Sequence, residues 1–348
     1  MAQPVLGVVA SVIAMAISLG FIALFDVQSF SGSVSFFDLC AIPMQVMVVV
    51  LWGANPPFTA GLKQPARGLV LLALTVAAAV VISPLALRLA GEGISPPGPI
   101  PSHYVIIAVP FTFWACIMMG GWPFTSLTKN PVASGLATLL LAYAVTWVVF
   151  RLLFNYEFLQ GTPVYLASAP QGALNGVEAL VFIVTALAGM FVVLHFDLWP
   201  LNTVPALMNQ PVLGLAWTGV ALFLAAAAMH VGVGWLHTDP MVFLTRVTAP
   251  FIFGTIIVLN MLQNSLFAAL TQPLKGVANT AAAAVIGVAL AQGYGALAPA
   301  VSGTLASGPP AYDYEIWLAN ALLSTTFPVL IFVAAYFDYW PLRRGTGR

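Results

Sequence analysis

The sequence predicts an all-α polytopic membrane protein: ten transmembrane helices arranged as five tandem, parallel helical hairpins within a single domain over 1–348. Three observations point there. Of 348 residues only 20 are Asp, Glu, Lys or Arg (6%), while 61% are hydrophobic. A soluble domain carries roughly 25% charged residues. Ten uninterrupted apolar stretches are each near the ~20 residues that cross a bilayer core. Two short motifs recur at matching helix ends. A soluble enzyme, a disordered chain, a coiled coil and a collagen are excluded by composition.

The spans run near 4–25, 36–54, 68–89, 104–122, 132–154, 177–198, 211–232, 244–266, 276–296 and 317–339. Pro, Gly, Ser and Asn fill the breaks between them. The runs are continuous rather than alternating, which excludes a β-barrel reading. The first stretch lacks a basic leader and is long, so it reads as a span and not as a cleaved signal.

Ten spans place both termini on one side, side A. It receives Lys63, Arg67, Lys129, Lys275, Arg343, Arg344 and Arg348; side B receives Arg88, Arg151 and Arg246. The Lys/Arg bias makes side A cytoplasmic, as expected for an inner (cell) membrane protein. Asp197 and Asp338 fall on side A. Asp26, Asp38, Glu92, Glu157, Glu178, Asp239, Asp313 and Glu315 are assigned to side B.

Each odd helix opens on Gln/Asn-Pro with a Gly soon after: Gln3-Pro4…Gly7, Gln64-Pro65…Gly68, Asn130-Pro131…Gly135, Gln210-Pro211…Gly214 and Gln272-Pro273…Gly276. Even helices close on Trp52…Pro57, Trp122-Pro123, Trp199-Pro200 and Trp340-Pro341, with a decayed copy at Leu266-Phe267. The hairpins run about 1–58, 62–124, 129–201, 209–267 and 271–342. Pro suits a helix start, Gly lets helices approach, and Trp suits the headgroup level. These motifs therefore read first as helix-end devices. Two spans per unit make the repeat parallel rather than inverted. Such units close most simply into a pseudo-five-fold ring, or pack as a compact bundle.

Odd helices are rich in small residues. Even helices carry aromatics, Met and internal prolines at Pro43, Pro110, Pro250 and Pro328, with Leu187 in the matching place of the third hairpin. Kinked backbone is tolerated in a membrane where protein or a wet cavity satisfies it. The even helices are therefore the expected lining of a solute path. Its candidate residues are Pro43, Pro110, Pro250, Pro328, Trp114, Glu178, Arg246, Asn260, Gln263, Asn264 and Asn320. Interhelical hydrogen bonding is the plainer role for the amides, and snorkelling or pairing with a side-B acid the plainer role for the arginines.

The expected function is a transporter or channel-like permease for a small solute, and an enzymatic role is less favoured. The competing reading is a membrane subunit of a redox or metal-dependent complex, with haem, quinone or metal on side B. His103, His230, His237 and Asp239 are its metal candidates, although no ligand spacing supports them. No cofactor is implied, and no basic face for nucleic acid exists. The expected partners are the bilayer and the solute. The long loop 155–176 offers a docking surface for a partner subunit, and a homo-oligomer is compatible with the chain.

Overall fold

The computed structural model describes residues 1–343. Arg344 and Arg348, both assigned to side A, lie outside the described residues. The chain forms ten helices long and apolar enough to cross a membrane. They are α1 Val5–Ile22, α2 Val27–Val50, α3 Ala66–Gly91, α4 Pro99–Met118, α5 Pro131–Leu153, α6 Gly176–His195, α7 Val212–Trp235, α8 Pro240–Met261, α9 Leu274–Ser302 and α10 Asp313–Tyr336. All ten expected spans are present. The largest boundary error is in α2, which begins nine residues before the expected 36. This moves Asp38 from the side-B edge to the middle of a span.

Even and odd helices occupy different places. In their most apolar stretches 61–72% of the residues of the even helices are buried, against 22–39% in the odd helices. The even helices therefore form the inside and the odd helices face lipid. Small residues allow the outer helices to come close. Gly254 of α8 sits against the Ala283 carbonyl of α9, and Gly287 of α9 sits against the Pro250 carbonyl of α8. Backbone-to-backbone contact of this kind needs residues without a side chain.

The opening glutamines bridge helices. The Nε2 of Gln3, Gln64, Gln210 and Gln272 donates to the carbonyls of Met261, Tyr336, Met118 and His195. The Oε1 of each accepts the N–H of Gly7, Gly68, Gly214 or Gly276, satisfying a donor that the first helical turn leaves free. Asn130 instead caps α5 by accepting the N–H groups of Val132 and Ala133. There the bridge is made by Trp52, whose Nε1 donates to the Pro131 carbonyl.

Each even helix is followed by two residues in the left-handed region: Gly53–Ala54, Gly120–Gly121, Asp197–Leu198, Gln263–Asn264 and Asp338–Tyr339. Gly, Asn and Asp tolerate that conformation best. The turn therefore survives at 263–264, where the Trp-Pro signature has decayed. It also aligns Pro56, not Pro57, with Pro123. Trp52 falls on the Met119 position and plays a different part from Trp122, Trp199 and Trp340.

The prolines do not all act as simple kinks. Pro43 and Pro110 sit within α-helical backbone. Pro250 and Pro328 each follow a wider π-helical stretch, Leu244–Thr248 and Asn320–Thr326. A wider turn relieves the clash between the ring and the preceding carbonyl. The outer helices also contain internal prolines, Pro84 and Pro299, so an internal Pro does not distinguish the even class.

The 155–176 loop folds onto side B. Phe154–Asn155 and Leu174–Asn175 pair as short parallel strands β1 and β2. Tyr156 is fully buried, and its hydroxyl meets Nδ1 of His103 at 3.0 Å. The Ser168 peptide is clamped from both sides. Its N–H donates to Glu92 and its carbonyl accepts from Arg151.

Candidate functional site

Two cavities lie among the inner helices, and all five even helices contribute to each. The first, about 50 Å³, is wholly apolar; Leu39, Ile106, Val184, Ile252 and Leu323 represent the five helices. The second, about 180 Å³, lies closer to side A and adds two amides, Gln45 and Asn260. Phe113, Phe191 and Phe327 belong to both walls and form a collar between them. Phe113 packs edge-on to Phe191 at 5.4 Å and tilted to Phe327 at 6.2 Å. No ionisable side chain lines either cavity. A bare ion there would cost several kcal/mol.

Gln45 is 1% exposed. Its Nε2 donates to the Pro328 carbonyl at 2.8 Å, and its Oε1 has no partner. A carbonyl only accepts, so the amide cannot be turned round to use both ends. A buried acceptor without a donor is costly and suited to a ligand N–H or O–H.

The seam between α2 and α10 is polar over two helical repeats. Ser31, Asp38 and Gln45 are spaced by seven residues; Asp38 and Gln45 share one face of α2, while Ser31 lies one π-helical stretch earlier, in Phe30–Val34. Each meets α10. Asn320 donates to the Ser31 carbonyl at 3.3 Å, Thr325 donates to Asp38 Oδ2 at 2.8 Å, and Gln45 reaches Pro328. Ser31 Oγ is buried without a partner. Asp38 lies eleven residues from the start of α2 and twelve from its end. At 1.5 Å per residue that is about 18 Å, close to the midplane. No cation is bonded to it.

A third cavity, about 280 Å³, lies beside the first between α4, α6 and α7. Pro110 and Leu187 line both. Trp114 faces it, and its Nε1 donates to Thr218 at 3.0 Å.

The other sequence candidates are dispersed. Asn260 is on the second cavity wall, and Pro110 is on the walls of the first and third. Pro43, Pro250 and Pro328 are buried within their helices. Gln263 and Asn264 form the turn after α8, and Asn264 accepts from Asn279. Glu178 is exposed in the first turn of α6. Arg246 is exposed and faces buried Glu315 at 3.6 Å, so the acid it meets is on α10 rather than in a neighbouring loop. Arg151 meets the Ser168 carbonyl and the Trp147 ring in place of an acid.

The metal candidates do not converge. His103 is bonded to Tyr156, and exposed His230 lies tilted against the Trp235 ring at 5.3 Å. His237 is an exposed turn residue, while Asp239 caps the first turn of α8 and accepts from Tyr312. That bond raises the Tyr312 hydroxyl to about 12. Among the described residues no group of three or more His, Cys, Asp or Glu could hold a metal ion. Sequence reasoning missed Asp38 and Gln45. The seven-residue spacing was the available signal, hidden by the late start assigned to the span.

In comparisons with known proteins, no family model, no curated protein and no solved structure matches the chain.

Proposed function

We propose that the chain is a permease for a small, uncharged or net-neutral solute, built as a closed ring of five hairpins with the solute path between the inner helices. The bridges support closure. Numbering the hairpins in order, the first opening contacts the end of the fourth, the second the fifth, the third the first, the fourth the second and the fifth the third. One rule, each hairpin onto the one two before it, runs through all five and returns to its start.

The observation that carries the solute reading is the orphaned Oε1 of Gln45, a residue lining a cavity that is otherwise apolar apart from Asn260. The walls fit an apolar body and the amide fits one hydrogen-bond donor. Ligand sites of this kind combine apolar walls with a few placed polar groups. The phenylalanine collar then separates a side-A compartment from the smaller one toward side B, as a gate between two access states would.

The test is uptake into proteoliposomes of labelled leucine, isobutyramide, benzamide and benzoic acid. The expected result is saturable uptake of at least one of them, competed by its unlabelled form and weakened in Gln45→Leu. If none enters faster than into protein-free vesicles, the reading fails.

A further inference from the structure

Asp38 has no role in the path itself, yet it is a half-buried carboxyl near the middle of an inner helix. An ionisable residue within a span is held there against a substantial insertion penalty. Such groups normally pair with a cation, a metal or another acid, or exchange protons. The surroundings of Asp38 decide among these. Its one hydrogen-bond partner is the Thr325 hydroxyl. On α10 no ionisable group but Tyr336 occurs after Glu315, and Glu315 is held by Arg246, Ser307 and Gly308. The outer helix α1 has no ionisable residue. On α3, Arg67 and Arg88 lie near opposite ends of the helix. On α4, His103 is near the side-B end and bonded to Tyr156. Cys40, also on α2, is a buried free thiol. Among the described residues, therefore, no fixed cation or second carboxylate is placed to balance or share a charge on Asp38.

We propose that Asp38 is the proton-binding site of the protein, and that its protonation couples proton movement to solute movement. The coupling rests on the permease reading; the proton site does not. A proton adds to the carboxylate oxygen that Thr325 leaves free and departs from the same oxygen, with no change in oxidation state. The charged form holds Thr325 by a charge-assisted bond, and the neutral form by an ordinary one. Charge-assisted bonds are roughly twice as strong. Protonation thus loosens the α2–α10 seam at its midpoint. Gln45 lies two turns further along the same face, and its amide spans the same seam while lining the side-A cavity. The polar stripe Ser31–Asp38–Gln45 thus joins the proton site to the solute handle through one pair of helices. The orphaned Ser31 hydroxyl marks its side-B end.

The experiment uses the full chain in lipid. Infrared difference spectra are recorded through a pH titration for wild type, Asp38→Asn, Asp38→Glu and Thr325→Val. The proposal expects a carboxylic C=O band that titrates with pH, is absent in Asp38→Asn, reappears shifted in Asp38→Glu, and changes frequency in Thr325→Val, which folds with the carboxyl intact. A wild-type spectrum without a titrating band that Asp38→Asn removes overturns the proton site.

In vesicles with the membrane potential clamped at zero, one proton per solute and a gradient of one pH unit support about tenfold accumulation of leucine. Asp38→Asn should abolish accumulation but retain exchange of labelled for unlabelled leucine. Accumulation unchanged in Asp38→Asn, or driven by sodium rather than by pH, overturns the coupling. If wild type moves no solute of the panel, the permease reading and the coupling fail together, while the infrared band still decides the proton site.

Discussion

Gln45→Leu separates a ligand handle from a structural bond, because the two give opposite signs. In the folded protein the amide makes one bond, to Pro328, and leaves Oε1 buried without a partner. Removing an interhelical bond in a membrane costs about 0.6 kcal/mol on average and up to about 1.7. Removing a buried unsatisfied acceptor relieves about 1–3 kcal/mol. Leucine is close in size, so no large cavity is left. The sum runs from a loss of about 0.7 to a gain of about 2.4 kcal/mol. The variant should therefore be as stable as wild type or more so. Solute binding should weaken, since one hydrogen bond of about 0.5–1.5 kcal/mol is lost, a two- to thirteenfold rise in Kd. Thermal unfolding in detergent gives the first quantity, and calorimetric titration with the best-transported solute gives the second. A destabilisation beyond about 2 kcal/mol would show that Oε1 already has a structural partner. Unchanged affinity would remove the handle.

Three other outcomes follow from the packing. Gly254→Ala and Gly287→Ala should each destabilise by about 1–3 kcal/mol or more by forcing α8 and α9 apart. Their double variant should cost clearly less than the sum, because one separation relieves both clashes; additive losses would contradict the shared contact. Phe113→Ala should cost about 3–5 kcal/mol and join the two inner cavities, speeding uptake while blunting discrimination among solutes; slower uptake from a folded variant would argue against a gate. At side A, partial burial works against the charge of Asp197, but bonds from Lys275 and Gln272 outweigh it and hold the carboxyl below its usual range. A lowered folded value means that the contribution is present above the ordinary carboxylate range and lost as pH falls through it. Lys275→Gln should thus lose the stability of an exposed pair, about 0.2–1 kcal/mol, at neutral pH, and the difference from wild type should vanish in acid; a difference independent of pH between 7 and 3 would sink that assignment.

The helices were legible because each is a long apolar run, and burial in lipid demands little else. Helix ends were less legible, since several residue sets satisfy the same backbone. Left-handed pairs close all five even helices, but they are Gly-Ala, Gly-Gly, Asp-Leu, Gln-Asn and Asp-Tyr. A motif search sees the Trp-Pro that follows three of them and misses the conformation they share. The opening motif read better because its chemistry is stricter. Glutamine reaches both a neighbouring carbonyl and the N–H four residues on, and glycine leaves room for the contact. Asn130 is too short for both tasks, and at that junction Trp52 takes over the bridge.

The central site was hidden for a different reason. Hydropathy places span ends where charge begins, so a carboxylate drags the assigned boundary toward itself. Asp38 therefore reads as an edge residue of a span starting near 36, although α2 extends a further eleven residues before it. The same bias favours amide-rich stretches near helix ends, which is why Gln263 and Asn264 drew attention and Gln45, alone in an apolar run, did not. Periodicity corrects this where hydropathy cannot. Asp38 and Gln45 fall seven apart, a spacing that returns to one helical face, and α10 meets both, through the Thr325 hydroxyl and the Pro328 carbonyl. A charged residue that keeps a seven-residue register with a polar residue deeper in the span belongs to a packed seam inside the membrane. One that ends a span has no reason to keep that register.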